Sequence, residues 1–196
     1  MAYAREGAIV VKGNHDEAVA QRSPRYLNDA ARDAIEWARG SLTQEEKDFL
    51  DALPLCVRER DLCLVHASAA IPERWEYVDS PSAALRSMQA AAAIHTFSGH
   101  VHDQLLFAQV GADTVTRFRP HHGSPVPVAR HRRWLALVGS VGQPRDGNPA
   151  AGYALFDEAR TSLTYFRIPY DHRGAAGKIR AAGLPESLAF RVQRGI

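Results

Sequence analysis

The chain has 196 residues, of which 45% are hydrophobic and 23% charged, enough for one globular domain with a real core. A formal net charge of +2 leaves no whole-molecule field to recruit a nucleic acid, and every apolar run is much shorter than a membrane span requires. The opening MAYAREGAIVVKGN carries acidic Glu6 and only a short apolar run, so it is no signal peptide. Cys56 and Cys63 flank a turn and form no framework, which predicts free thiols in a reducing cytoplasm.

In chain order, Ala8–Lys12 reads as a short buried strand that ends at Gly13 in the polar loop Asn14-His15-Asp16. A helix follows from Asn28 to Arg39, with Ala30, Ala31, Ala34, Ile35 and Ala38 on one face. Thr43-Gln44-Glu45-Glu46 is a capping box that opens a second helix through Ala52, closed by Pro54. Asp61–Val65 is a strand that delivers His66 at its end, and Ser80 caps a helix over Pro81–Ala92. Ile94–Ser98 is a third strand, stopping at Gly99-His100-Val101-His102. Short strands then recur at Leu105–Gln109, Thr114–Arg119, Arg133–Leu137, Gly152–Asp157 and Leu163–Pro169, in a pattern that predicts antiparallel pairing. Asp171 caps a helix ending near Gly183, and Pro185 starts the last one. The prediction is a single mixed α/β domain over residues 1–196.

Three of these strands end in a polar cluster containing histidine: Asn14-His15-Asp16, His66-Ala67-Ser68 and His100-Val101-His102. Loops at the C-terminal ends of strands in an α/β sheet converge on one crevice, which is where ligands bind. One histidine there is often a satisfied polar group, but the same ending on three strands favours metal binding or catalysis. In a strand, His100 and His102 would share a face; in a loop, they could reach two neighbouring ions, one each. Imidazole suits Zn, Fe, Mn or Ni better than calcium, and Gly99 lets backbone approach the site closely.

Gly13-Asn14-His15-Asp16, then His66, then Gly99-His100-Val101-His102 resembles the ordered motif series of the calcineurin-like metallophosphoesterase superfamily. The run from Gly139 to Pro149, together with Leu64–Ser68 and Trp75-Glu76-Tyr77, is similar to its branch of small bacterial phosphodiesterase-like proteins. The resemblance implies a sandwich of two mixed β-sheets flanked by helices, α/β (α+β) in class. It also implies hydrolysis of a phosphomonoester or phosphodiester by metal-activated hydroxide, with two divalent ions in the complete site. Asn14, His66 and His100 would then be ligands of the second metal and His102 of the first. His15 would stabilise the phosphoryl oxygens or protonate the leaving oxygen, with Asp16 orienting it and favouring its imidazolium form. The implied substrate is a phosphorylated small molecule or nucleotide, with no membrane and no nucleic-acid partner.

The superfamily begins with two further motifs, Asp-x-His and Gly-Asp-x-x-Asp, and neither is present. Before Asn14 there is no Asp or His, and Glu6 is the only carboxylate. The expectation is a fold whose N-terminal portion is missing, holding one ion on Asn14, His66 and His100. Activity of this chain would suffer accordingly, and a non-catalytic module that binds metal or a phosphorylated ligand is the alternative. Arg145, after the glycine-rich turn, either binds substrate phosphate or pairs with a loop acid such as Asp146. The basic stretch Arg117–Arg133 reads as a solvated hairpin loop, and Trp75 and Tyr77 either line the pocket or pack at its rim.

Overall fold

The computed structural model describes residues 1–20 and 28–196. After a single turn, α1 (Ala2–Arg5), the segment Ala8–Lys12 runs extended but joins no sheet among the described residues. This corrects the expected buried strand. Its backbone bonds among the described residues are the Ala8 amide to the Tyr3 carbonyl at 2.9 Å and the Lys12 amide to the Pro54 carbonyl at 2.8 Å, and Pro54 has no N–H with which to continue a ladder. Lys12 is anchored instead through its side chain, which is buried and donates to the Asp51 carbonyl at 2.6 Å. That carbonyl lies in the last turn of a helix, where the backbone dipole favours a cation.

The expected loop at Asn14 is also a helix, α2 (Asn14–Ala20). The Asp16 carboxylate reaches back to the Gly13 amide at 2.7 Å, as the third residue of a capping box does, and Glu17 N–H closes the first turn onto the Gly13 carbonyl. Helices α3 (Asp29–Ser41) and α4 (Gln44–Ala52) form as expected. Asn28 caps α3 by accepting from the Ala31 amide, and Thr43 and Glu46 complete the capping box of α4. The three helices share a small core of Ala18, Val19 and Ile35, edged by Ala38, Leu42 and Leu50.

From β1 (Cys56–Glu59) onward the molecule is a two-sheet sandwich. The first sheet also contains β2 (Leu62–Val65), β3 (His95–Ser98), β4 (Gln104–Gln109), β5 (Val115–Phe118) and β7 (Trp134–Val138). Its order is β1-β2-β3-β7-β4-β5. The core strands β2, β3 and β7 are parallel, so β7 departs from the purely antiparallel meander expected after His102. It inserts between β3 and β4, antiparallel only to the latter. The second sheet, β6 (Pro125–Pro127), β9 (Ser162–Ile168) and β8 (Ala151–Asp157), is antiparallel among the described residues, so only the first sheet is mixed. Strand β6 escaped sequence reading because two of its three residues are proline; it survives as an edge strand paired on one side only.

Alternation of side chains explains the layering. Leu105 and Phe107 of β4, with Leu135 and Leu137 of β7, face Ala84 and Met88 of α5 (Pro81–Ala91), which Ser80 caps at the Ala83 amide. Leu106, Ala108, Trp134 and Ala136, from the same strands, face Leu163 and Tyr165 of the second sheet. Burial on both faces is why these strands read as unbroken apolar runs. The chain closes with an α-hairpin of α6 (His172–Ala181), capped by Asp171, and α7 (Glu186–Arg194). Among the described residues, no helix is long and apolar enough to cross a membrane.

One polar side chain crosses the sandwich. Gln104 is buried and donates to the carbonyls of Val138, Tyr153 and Phe166, while its oxygen accepts from Arg167 Nε at 2.9 Å. Arg167 in turn donates to the Ala150 carbonyl and forms a buried ion pair with Asp146. Both ends of the loop 139–150 are thereby held to the sheets. Gly139 adopts a φ of +90°, and a Cβ there would lie 2.7 Å from Gln104 Cγ, so no side chain fits.

Candidate metal centre

The parallel strands β2 and β3 end side by side and are tied together beyond their last residues. Gly99 N–H donates to the His66 carbonyl at 3.0 Å, and Ser98 Oγ donates to the Ala67 carbonyl at 2.8 Å. His66 therefore leaves β2 level with the loop that carries His100. The start of α2 comes in from the opposite side, and three donor atoms meet. His66 Nε2 lies 3.0 Å from Asn14 Oδ1 and 3.2 Å from His100 Nδ1. Ligand atoms bound tetrahedrally at zinc-like distances are about 3.3 Å apart, so these separations fit one divalent ion. Among the described residues, no group of three His, Cys, Asp or Glu side chains could hold a metal; the amide of Asn14 is needed as the third donor.

The close approach leaves little room at position 13. A Cβ there would sit 3.1 Å from both the His66 ring and the Asp16 carboxylate. Gly99, expected to serve that purpose, has open room, since a Cβ would meet only the His66 carbonyl at an ordinary 3.6 Å. What the loop needs is strain elsewhere: His100 and His102 both have positive φ, 61° and 70°. Left-handed backbone in two non-glycine residues costs on the order of 1–3 kcal/mol each and is concentrated at functional sites.

The loop geometry sends the two histidines in different directions, as the second of the two expected arrangements requires. His100 turns to His66 and stacks on the Tyr77 ring at 4.2 Å between centroids. His102 turns to the loop 139–150, where its Nδ1 lies 2.7 Å from the Gln143 carbonyl. A carbonyl only accepts, so His102 Nδ1 carries the hydrogen and Nε2 keeps its lone pair. Metal-ligating histidines are held in the same way by a carbonyl on the second ring nitrogen.

Electrostatics keep the cluster uncharged. Burial, reinforced by the neighbouring histidines His102 and His15, lowers the His66 pKa to about 4. Burial and then His66 lower His100 to about 4, against an opposing pull from the Trp75 backbone. His102 is lowered by burial and next by Arg145. Neutral imidazole is the ligand form, so the site is deprotonated before any ion arrives.

His15, one residue into α2, opens on the cleft beside the cluster. Asp16 raises its proton affinity in the expected sense, but loss of solvent around the ring is the larger effect and Arg145 also opposes, so its pKa falls below the ordinary value. The carboxylate of Asp16 is turned to the Gly13 amide, which makes it the anchor of the helix start bearing Asn14 and His15.

Arg145 is exposed at the cleft, held through Nε and Nη2 by Gln143 Oε1. Of its two expected roles, the pairing with Asp146 is not formed: Asp146 is taken by Arg167 and lies 4.0 Å from Arg119. Trp75 and Tyr77 both line the cleft, and Trp75 Nε1 donates to Glu17 of α2 at 2.8 Å. The basic stretch disperses into local contacts, with Arg119 on Asp103 and Arg130 on Asp61 and Glu158. Sequence reading missed Glu17, Gln143 and Arg191 in this cleft, all three on ordinary-looking polar positions with no motif to mark them. It also missed the buried ion pair of Arg167 with Asp146.

No family model matches the chain. It is 33% identical over 192 residues to the uncharacterized protein MJ0912 of Methanocaldococcus jannaschii, a match covering 95% of this chain and 75% of the relative. The crystal structure of a metallophosphoesterase from Sphaerobacter thermophilus superposes with a TM-score of 0.88 at 33% identity, over 100% of this chain and 80% of that one. A hypothetical protein, PH1004 from Pyrococcus horikoshii OT3, shares the fold at a TM-score of 0.75 and 14% identity, over 100% of this chain and 77% of that one.

Proposed function

The chain belongs to the calcineurin-like metallophosphoesterase superfamily, and we propose that it binds a divalent ion on Asn14, His66 and His100 and hydrolyses a phosphate ester beside it. The carrying observation is the convergence of three donors from separate elements: His66 Nε2 lies 3.0 Å from Asn14 Oδ1 and 3.2 Å from His100 Nδ1. Mn, Fe, Zn and Ni all suit this donor set. Such an ion supplies Lewis acidity to a phosphoryl oxygen and makes water acidic enough to act at neutral pH.

The chain's own residues do the rest. Arg145 presents a guanidinium to the phosphoryl oxygens from the cleft edge, where two N–H groups can engage them at once. His15 stands neutral at pH 7 and donates one N–H to the ester. As substrate negative charge enters beside it, the ring's proton affinity rises, so it can take up a proton from solvent and, as the imidazolium, pass that proton to the departing oxygen. His102, its tautomer set by Gln143, adds a further lone pair from the other side of the loop.

The test titrates Mn²⁺ into the chain by calorimetry and then follows hydrolysis of p-nitrophenyl phosphate in its presence. The reading expects one ion per chain, lost in His66→Ala, and turnover that falls at least tenfold in His15→Ala while the ion still binds. Metal binding without turnover in the unaltered chain would support the non-catalytic alternative. Failure to bind Mn²⁺, and Fe²⁺, Zn²⁺ and Ni²⁺ titrated in the same way, would overturn the site itself.

A further inference from the structure

The cleft is much larger than a phosphate. Its volume is about 580 Å³, within the range of roughly 300–1,000 Å³ typical of sites that enclose a whole organic ligand. It has two chemically distinct ends. Arg145 and Arg191 stand close enough to His102 to lower its proton affinity, Arg74 lines the same cleft, and among the described residues none of the three pairs with a carboxylate. Other arginines of the molecule, at positions 119, 130, 167 and 180, are so paired. Glu17 is the one acid among the described lining residues, and the Trp75 indole occupies it. An uncompensated cationic end selects an anion.

The far end is apolar and lies between α3 and the α6–α7 hairpin. Trp37 lines the cleft from α3 and remains 49% exposed, and Ile179, Leu184 and Leu188 of the hairpin line the same cleft. The Tyr77 ring, 48% exposed and stacked on His100, forms the step between the two ends. A large indole left uncovered opposite three aliphatic side chains is a binding surface for a flat apolar group.

We infer, on the footing of the phosphoesterase reading, that the substrates are phosphate esters of an apolar aromatic alcohol, with the ring system seated between Trp37 and Leu188 and the phosphate at the arginines. The organic group accordingly contributes binding that inorganic phosphate lacks. Seating a bicyclic ring against these side chains strengthens binding at least tenfold, since about 1.4 kcal/mol of apolar burial suffices for that factor.

The experiment measures calorimetric binding of 1-naphthyl phosphate and of inorganic phosphate to the Mn²⁺-loaded full chain. The expected result is at least tenfold tighter binding of the naphthyl ester. Trp37→Ala should reduce that advantage at least fivefold and leave phosphate binding unchanged; Leu188→Glu, whose carboxylate lies one turn from Arg191, should weaken binding of both probes. Trp37 is exposed, so its removal opens no cavity in the core and keeps the test valid if Leu188→Glu misfolds. Equal affinity for the two probes, or an advantage untouched by Trp37→Ala, overturns the aromatic slot and leaves the phosphoesterase reading standing. Binding of neither probe overturns both.

Discussion

The helices α2 to α4 and the two-sheet sandwich are built to different standards, and the candidate metal centre lies across their junction. The sandwich buries Leu106, Phe107, Leu135, Leu137 and Tyr165 completely or nearly so and locks its sheets together through Gln104 and Arg167. The helical region rests on three small or medium buried residues, Ala18, Val19 and Ile35, and reaches the sandwich through contacts such as Glu17 to Trp75. His66, His100 and His102 stand on the better-built frame, whereas Asn14 and His15 stand on the lesser one. An ion held by both would fasten them together, so metal binding should report on the junction as much as on the ligands.

The largest effect expected from this contrast is at Phe107. Phe107→Ala should lower global stability by about 3–5 kcal/mol in denaturant titration, the usual result of a cavity in a packed core. Ile35→Ala should instead accelerate hydrogen exchange mainly in α2 to α4. Uniform acceleration across the sandwich would show that the two regions unfold as one unit. Next comes Arg167→Met, which leaves Asp146 buried without its partner and should cost about 3 kcal/mol or more. Because the same pair holds the loop that carries Gln143, ion affinity should drop only modestly there.

At the junction, His66→Ala should weaken Mn²⁺ binding about a hundredfold or more. His102→Ala should weaken it less than tenfold, because the His102 ring is bonded to Gln143 and is not one of the three converging donors. Similar losses in the two variants would break the distinction between them. The smallest effect is the pH dependence of the metal-free chain. Folded His66 and His100 take up protons only near pH 4, but the unfolded chain does so near its ordinary value of about 6.5. The unfolded state therefore gains protons first as pH falls, and stability should decline between those values. The slope is at most about 1.4 kcal/mol per pH unit for each histidine. A flat stability profile over that window would show that the cluster is already solvated.

Much of the molecule was legible from local chemistry. The capped helices at Asn28, Thr43, Ser80 and Asp171 appear where their caps are, because a cap acts on amides two or three residues away. The largely apolar runs at 62–65, 104–109 and 134–138 are short strands flanked by turn residues, as short runs buried in a sheet are. The ordered series Asn14, His66, His100 carried the family. The errors share a cause. Ala8–Lys12 has the composition of a strand, but a strand exists only where another chain segment offers a ladder, and Pro54 cannot. Asn14-His15-Asp16-Glu17 has the polarity of a loop, but Asp16 folds back on Gly13 and starts a helix.

What the sequence by itself determined is therefore the inventory: which donors exist, in what order, and that His66 and His100 follow strands. Tertiary structure decided the assignments. Asn14 meets His66 across 52 residues of chain, Arg167 reaches Gln104 across 63, and β7 slips between β3 and β4. It also decided that Arg145 is left to the cleft, since Asp146 is claimed by Arg167 from the second sheet. Contacts at such separations depend on packing and on which partner arrives, and neither leaves a periodic or positional trace in the residues that make them.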